Sequence, residues 1–191
     1  PDTIVMKLGP DSTLAVIEKG GYEADDILGT IAKRAEKEGL TVSVVSGDRD
    51  LLQLASDNIK IRIPKTKKTG TEIEDYNTAE VLEKYLVTPE QFIDVKALMG
   101  DTSDNIPGVA GIGPKGAGDL IQRYHTVEYI YDHLDELEIK DGVRKKLTDG
   151  EDSARQSYWL ATIVRDVPLS FKPEENIWNN SYTSELYGVM K

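Results

Sequence analysis

The chain has 191 residues, 39% hydrophobic and 30% charged, the make-up of one folded domain or a domain with a helical annex. It contains no cysteine, which excludes disulfides and thiolate metal sites, and its two histidines, His125 and His133, cannot build a zinc site without carboxylates. A net charge of −11 runs against a nucleic-acid binder unless bound metals or local patches offset it, and the alternative is that it only confers solubility.

No run of about 18 apolar residues is present, so no membrane span is expected. The start, Pro1 to Pro10, has neither the basic region nor the apolar core of a signal peptide. These features are those of a cytoplasmic protein.

Thr3 to Met6 and Leu14 to Ile17 read as short apolar strands. After Gly20-Gly21, Ala24 to Glu38 reads as a helix, with Ile27, Leu28, Ile31 and Ala35 at helical spacing and Gly39 as its stop. Thr41 to Val45 is a β-branched run, expected as a buried strand ending at Ser46-Gly47-Asp48. Arg49 to Ala55 is expected as a helix and Ile59 to Ile63 as a strand. The basic turn Lys65 to Gly70 follows, and its Lys65, Lys67 and Lys68 read first as a solvated hairpin. Alternating strands and helices predict a parallel α/β sheet, whose sites form at the C-terminal ends of strands.

After Tyr76 the pattern turns helical. Helices are predicted over Thr78–Tyr85, Pro89–Met99, Pro114–Tyr124, Val127–Leu134, Val143–Leu147 and Ser153–Val164. Thr88-Pro89-Glu90-Gln91 carries an N-cap signature with proline at the first helical position. This places an α/β core over residues 1–76 and a helical subdomain over 77–191. Tyr22 is expected to pack and Trp159 to lie in the core, with His125 at the surface or capping a helix. Asn176 to Lys191 has no assigned role.

Three acidic clusters carry the chemistry: Glu23, Asp25 and Asp26; Asp48 and Asp50; Asp101 and Asp104. Carboxylates this close repel one another unless cations hold them. The first cluster also suits a plain helix N-terminus. Asp48 and Asp50 either cap a helix or, in an extended segment, point to one place. Asp101 and Asp104 follow Gly100 at a helix C-terminus, where acids oppose the helix dipole and a cation relieves them. Oxygen ligands of this kind suit Mg²⁺ or Mn²⁺, and two such ions support phosphodiester hydrolysis without a catalytic histidine.

Gly108, Gly111, Ile112, Gly113 and Lys115 form a glycine-rich turn opening a helix, suited to a phosphate backbone. A simple helix–turn–helix hairpin is the alternative.

Gly21 to Asp26, Ser46 to Leu54 and Leu98 to Val109, followed by Gly111-Ile112-Gly113-Pro114-Lys115, resemble the 5′-nuclease domain of bacterial DNA polymerase I. Leu160 to Ile163 with Asp166 to Leu169, and Ser184 to Tyr187, continue the resemblance. It covers roughly residues 20 to 191. It implies a PIN-like parallel-sheet core and an all-helical C-terminal subdomain with a helix–three-turn–helix over about 98–125.

The family implied is a metal-dependent, structure-specific 5′-3′ exonuclease and flap endonuclease. By resemblance, Glu23, Asp25, Asp26, Asp48 and Asp50 belong to the first metal position, and Asp101 and Asp104 to the second. The helix–three-turn–helix is implied to hold duplex DNA, with K⁺ as an accessory cation. The implied partners are DNA with a 5′ flap or a nick, an RNA primer in an RNA–DNA hybrid, and a covalently linked polymerase domain. The implied location is the bacterial cytoplasm, at the nucleoid.

The family's first strand with its aspartate, a later aspartate-ended strand and a Lys- and Arg-rich arch have no counterpart here. The expectation is therefore the C-terminal portion of such a domain. The alternatives are a truncated, non-catalytic duplex-DNA-binding module and a single-strand RNA nuclease with a related acidic site.

Overall fold

The structure is a computed structural model that describes residues 3–9, 12–67 and 70–172. Lys68 of the basic turn, the segment from Asn176 to Lys191 and the Ser184–Tyr187 match lie outside the described residues. The chain divides into two units, Pro1–Ala35 with Val164–Lys191, and Glu36–Ile163.

In the first unit, β1 (Thr3–Gly9) and β2 (Ser12–Ile17) pair antiparallel, with Thr3 opposite Ile17 and Gly9 opposite Ser12. The expected parallel arrangement does not hold for this pair. Two residues can join antiparallel neighbours, whereas a parallel crossover needs a dozen or more. Helix α1 (Ala24–Lys37) follows, close to its predicted span. Its polar side chains hold the segment after residue 163. Buried Thr30 accepts the Val167 N–H at 3.0 Å, and Arg34 donates to the carbonyls of Val167 at 2.7 Å and Leu169 at 2.9 Å. Tyr22, expected to pack, is exposed.

The second unit begins with a mixed three-stranded sheet, β3 (Val42–Val45), β4 (Ile59–Lys67) and β5 (Gly70–Tyr76), in the order β3-β4-β5. β3 and β4 are parallel, as predicted, and β4 and β5 form an antiparallel hairpin. Ile59, Ile61 and Ile63 point into the core while Lys60, Arg62 and Pro64 alternate outward. β5 escapes sequence reading because Gly-Thr-Glu-Ile-Glu-Asp-Tyr has little apolar alternation. It is held instead by cross-strand ion pairs, Arg62–Asp75 at 2.8 Å and Lys65–Glu74 at 2.6 Å. β3 is not the buried strand expected: Val44 is buried but Val45 is 60% exposed. Successive side chains of a strand point to opposite faces, and one face of β3 is covered while the other is open.

The predicted helix after β3 is a 3-10 turn over Asp50–Leu54. Leu51, Leu52 and Leu54 are fully buried there, and Gln53 donates to the Ala161 carbonyl at 2.9 Å and accepts the Ile163 N–H at 3.0 Å. Six helices follow: α2 (Thr78–Tyr85), α3 (Gln91–Met99), α4 (Pro114–Tyr124), α5 (Val127–Asp132), α6 (Asp141–Asp149) and α7 (Glu151–Ala161). Their starts follow the capping signals. Asn77 pairs reciprocally with Glu80, and Thr88 with Gln91. No helix among the described residues is long and apolar enough to cross a membrane.

α3 packs on α4 and α7. The buried stripe of α7 is Ala154, Ser157 and Ala161, small residues that allow close approach. The apolar run Tyr158-Trp159-Leu160 therefore faces outward, and Trp159, expected in the core, is 75% exposed. Helical spacing favoured the small residues over the large ones.

α3 also buries an acid. Asp94 is 5% exposed, accepts the Val127 N–H at 2.8 Å and has its carboxyl pushed up to about 6, chiefly by burial. Its ordinary value is 3.8. The folded chain thus binds the proton more tightly than the unfolded chain. The stabilisation is complete below pH 3.8 and is lost as pH rises to about 6. Asp94→Asn keeps an acceptor for Val127 without the charge. It is expected to stabilise the protein at pH 7.5 by about 1–3 kcal/mol and to flatten the stability profile over this window. Urea melts of both proteins from pH 4 to 8 check this; superimposed profiles would remove Asp94 as the titrating group.

Candidate metal centre and nucleic-acid interface

The site begins at the C-terminal end of α3. Gly100 has φ +73, and after it Asp101 and Ile106 bond each other's backbones at 2.8 Å, closing a tight loop over residues 101–106. The Asp101 Oδ1 accepts the Ser103 N–H at 2.9 Å, which aims Oδ2 at α3. Asp50 opens the 3-10 turn, where its own N–H bonds Asp48 Oδ1 at 2.9 Å. Carboxylate oxygens of Asp50, Asp101 and Asp104 lie within 4.8 Å of one another. They are the one such group of metal-capable side chains among the described residues.

Between them sits a side chain that sequence reading missed. Lys96 is 4% exposed, and its Nζ is ion-paired with Asp50, with Asp101 at 2.8 Å and with Asp104 at 3.6 Å. A buried ammonium needs such partners. The Lys96 bond, with help from Ser103, holds the Asp101 carboxyl down to about 2. Burial pushes the Asp50 carboxyl up despite the same lysine, because Asp50 lies deeper than Asp101. The Asp50 and Asp101 contacts push the Lys96 ammonium up against its burial. The signal in the sequence was a lysine on the apolar stripe Phe92, Lys96, Met99, one turn before Gly100-Asp101.

The other expected ligands are not part of this group of three. Asp48 is exposed and its carboxylate caps the 3-10 turn; residues 48–50 are not an extended segment aiming both acids at one point. Glu23, Asp25 and Asp26 belong to the first unit. There Asp26 accepts the Glu23 N–H at 3.1 Å and the Val164 N–H at 2.8 Å, so it shapes the start of α1.

A cleft of about 700 Å³ runs past this site, lined by Asp48, Asp50, Lys96, Asp101 and Asp104 and, across from them, by Pro114 and Gly118 of α4. α4 starts at Gly113 with Pro114 in its first turn, so the start of this helix borders the cleft. A second groove, of about 680 Å³, borders the same helix start and carries Lys115, Arg123, Lys140 and Lys146. Gly111, Gly113 and Lys115 are exposed here. Gly108 and Ile112 are not: both are buried, the Gly108 N–H is donated to Ser157 Oγ at 2.9 Å and the Ile112 N–H to the Val109 carbonyl at 3.0 Å. These two expected backbone-gripping positions have no donor left for a phosphate. The Gly111 carbonyl is held by Lys146 Nζ at 2.9 Å.

Both halves of the chain match known families. Residues 3–86 match the 5'-3' exonuclease N-terminal resolvase-like domain, and residues 87–183 the 5'-3' exonuclease C-terminal SAM fold. DNA polymerase I of Bacillus subtilis is 50% identical over 148 residues, 78% of this chain and 16% of that protein. The chain thus spans about a fifth or less of the curated relatives it matches. The 5'-exonuclease of bacteriophage T5, solved with divalent zinc ions, superposes with a TM-score of 0.66 at 30% identity, over 78% of this chain and 52% of that one. The bacteriophage T5 flap endonuclease in a pseudo-enzyme-product complex with DNA and metal ions aligns with the same score, identity and coverage. With both family models matched along the two halves of the chain, this chain is a member of the 5'-3' exonuclease family.

Proposed function

We propose that this chain is the part of a structure-specific 5′-3′ exonuclease and flap endonuclease that carries a metal position and the duplex grip. The observation that carries the reading is the shared cleft: the Asp50, Asp101 and Asp104 oxygens border it together with the start of α4. A scissile phosphate held by the α4 N–H groups and Lys115 would then lie beside the acids.

The donor set suits Mg²⁺ or Mn²⁺, because it is all carboxylate oxygen with no sulfur or imidazole. Bound divalent ions would supply Lewis-acid stabilisation of the pentavalent phosphate and lower the pKa of the attacking water. Asp101 stays ionised throughout the working pH range, and Ser103 fixes its orientation. Glu23, Asp25, Asp26 and Asp48 are proposed as the remaining ligands, and K⁺ as an accessory cation at the turn before α4.

The substrates that fit this reading are 5′-flapped or nicked DNA and RNA primers in hybrid duplex. A polymerase segment linked to the chain and a location at the bacterial nucleoid belong to the same proposal. The test is cleavage of a 5′-labelled flap DNA with Mg²⁺, Mn²⁺ or EDTA. Metal-dependent cutting at the flap junction is expected. Salt-sensitive duplex binding with no cutting in either metal would instead make the chain a non-catalytic DNA-binding module.

A further inference from the structure

The Lys96 ammonium contacts Asp50, Asp101 and Asp104, the three side chains able to hold an ion, and it reaches them from inside the protein. Three carboxylates around one ammonium leave an uncompensated charge of −2. The arrangement is stable enough to pack but attracts further positive charge. The lysine is anchored on α3 yet ends in four methylenes, so its head can withdraw while its stem remains buried.

We propose that Lys96 is a built-in cation of this acidic site, holding the three carboxylates together when no divalent ion is bound and competing with a divalent ion for the same oxygens. The proposal rests on the metal reading above and adds a regulator to it. The contacts themselves argue for competition. Asp101 Oδ1 is committed to Ser103, so its Oδ2, facing Lys96, is the atom left for an ion. Asp50 offers Lys96 its Oδ1 and lines the cleft, so the ammonium and an ion in the cleft would draw on the same carboxylate. A compact, strongly hydrated ammonium holds such oxygens more weakly than a divalent ion does, which makes it displaceable.

Two consequences follow for the metal-free and metal-bound protein. Without Lys96 the acids repel, so the metal-free fold is weaker. Without its competitor, a divalent ion binds more tightly and restores more stability than it gives the parent.

The experiment uses the 191-residue chain, its Lys96→Met variant and the uncharged but polar Lys96→Gln. Mn²⁺ binding is measured by titration calorimetry and by the loss of the free-ion EPR signal, alongside thermal melts with and without Mn²⁺. Both variants are expected to bind Mn²⁺ on the order of tenfold more tightly than the parent. They are also expected to melt lower than the parent in EDTA and to show a larger rise with Mn²⁺. A variant that folds only with Mn²⁺ supports the proposal equally. Unchanged or weaker Mn²⁺ binding by folded variants overturns it and leaves Lys96 as a structural ion pair, with the metal reading intact. An Asp101→Asn control separates the two ideas. If it binds Mn²⁺ as the parent does, or if the parent binds none, the metal reading itself fails and this proposal with it.

Discussion

Gly108→Ala is expected to destabilise the second unit severely. Gly108 has φ +62, and a Cβ placed there would lie 2.3 Å from the Gly100 nitrogen, 2.6 Å from the Met99 carbonyl carbon and 2.7 Å from the Gly100 Cα. All three are backbone atoms, so no side chain can swing aside. Relief would require the end of α3 to move, and Gly100 has no room of its own: its Cβ would meet the Ile106 carbonyl oxygen at 2.7 Å. The same residue is tied to α7, donating its N–H to Ser157 and accepting from Ser153 Oγ at 2.6 Å. One methyl group therefore breaks the α3 terminus, the loop carrying Asp101 and the α7 contact together. A loss of roughly 4 kcal/mol or more is expected, at the extreme of single substitutions. Gly142→Ala is the control. It lies exposed in α6 with nothing within 4 Å of a new Cβ, and alanine there should stabilise by about 0.5–1 kcal/mol. Urea denaturation of the two variants checks both; a Gly108→Ala melt like that of the parent would show that the close packing of these glycines is not required.

Asp101→Asn is expected to lower metal-dependent flap cleavage by about 100- to 1000-fold while changing duplex affinity by less than about twofold. The range corresponds to the few kcal/mol of transition-state stabilisation that a misplaced metal forfeits. Asparagine keeps the size of aspartate and one acceptor for Ser103, so the loop survives. It removes a carboxylate whose pKa is held down to about 2, and it takes a charge partner from Lys96. The duplex grip proposed above uses the exposed face around Gly113 and Lys115, which does not contain Asp101. Cleavage and binding are measured on the same labelled flap, with the melting temperature as a folding control. Equal cleavage by Asp101→Asn would remove Asp101 from the metal site.

Much of the architecture was legible because it depends on neighbours in sequence. The capping pairs Asn77–Glu80 and Thr88–Gln91 act over three residues, as does proline at the start of α4, so these helix starts are local facts. The Asp101-x-x-Asp104 spacing after Gly100 likewise places two acids on one tight turn. Their association with Asp50, some fifty positions earlier, was not legible, because no local rule brings the 3-10 turn to the end of α3 and the resemblance assigned Asp50 to the other metal position.

Tertiary packing decided the rest. Gly108 reads as a flexible phosphate-loop glycine, yet the close approach of α3 and α7 makes it a packed one. Trp159 reads as core by its apolarity, yet it faces outward because α7 approaches α3 through Ala154, Ser157 and Ala161. β5 forms from a charged segment because β4 supplies the opposite charges across the hairpin. Lys96 reads as an ordinary helical lysine until the fold encloses it among three acids. The sequence by itself determined the acid motifs, the helix starts and the glycine-rich turn, since each rests on interactions within a few residues. The tertiary structure decided which acids meet, which glycine is packed and where the buried Lys96 ammonium lies, since burial and Coulomb energy depend on distances that the chain sets only when folded.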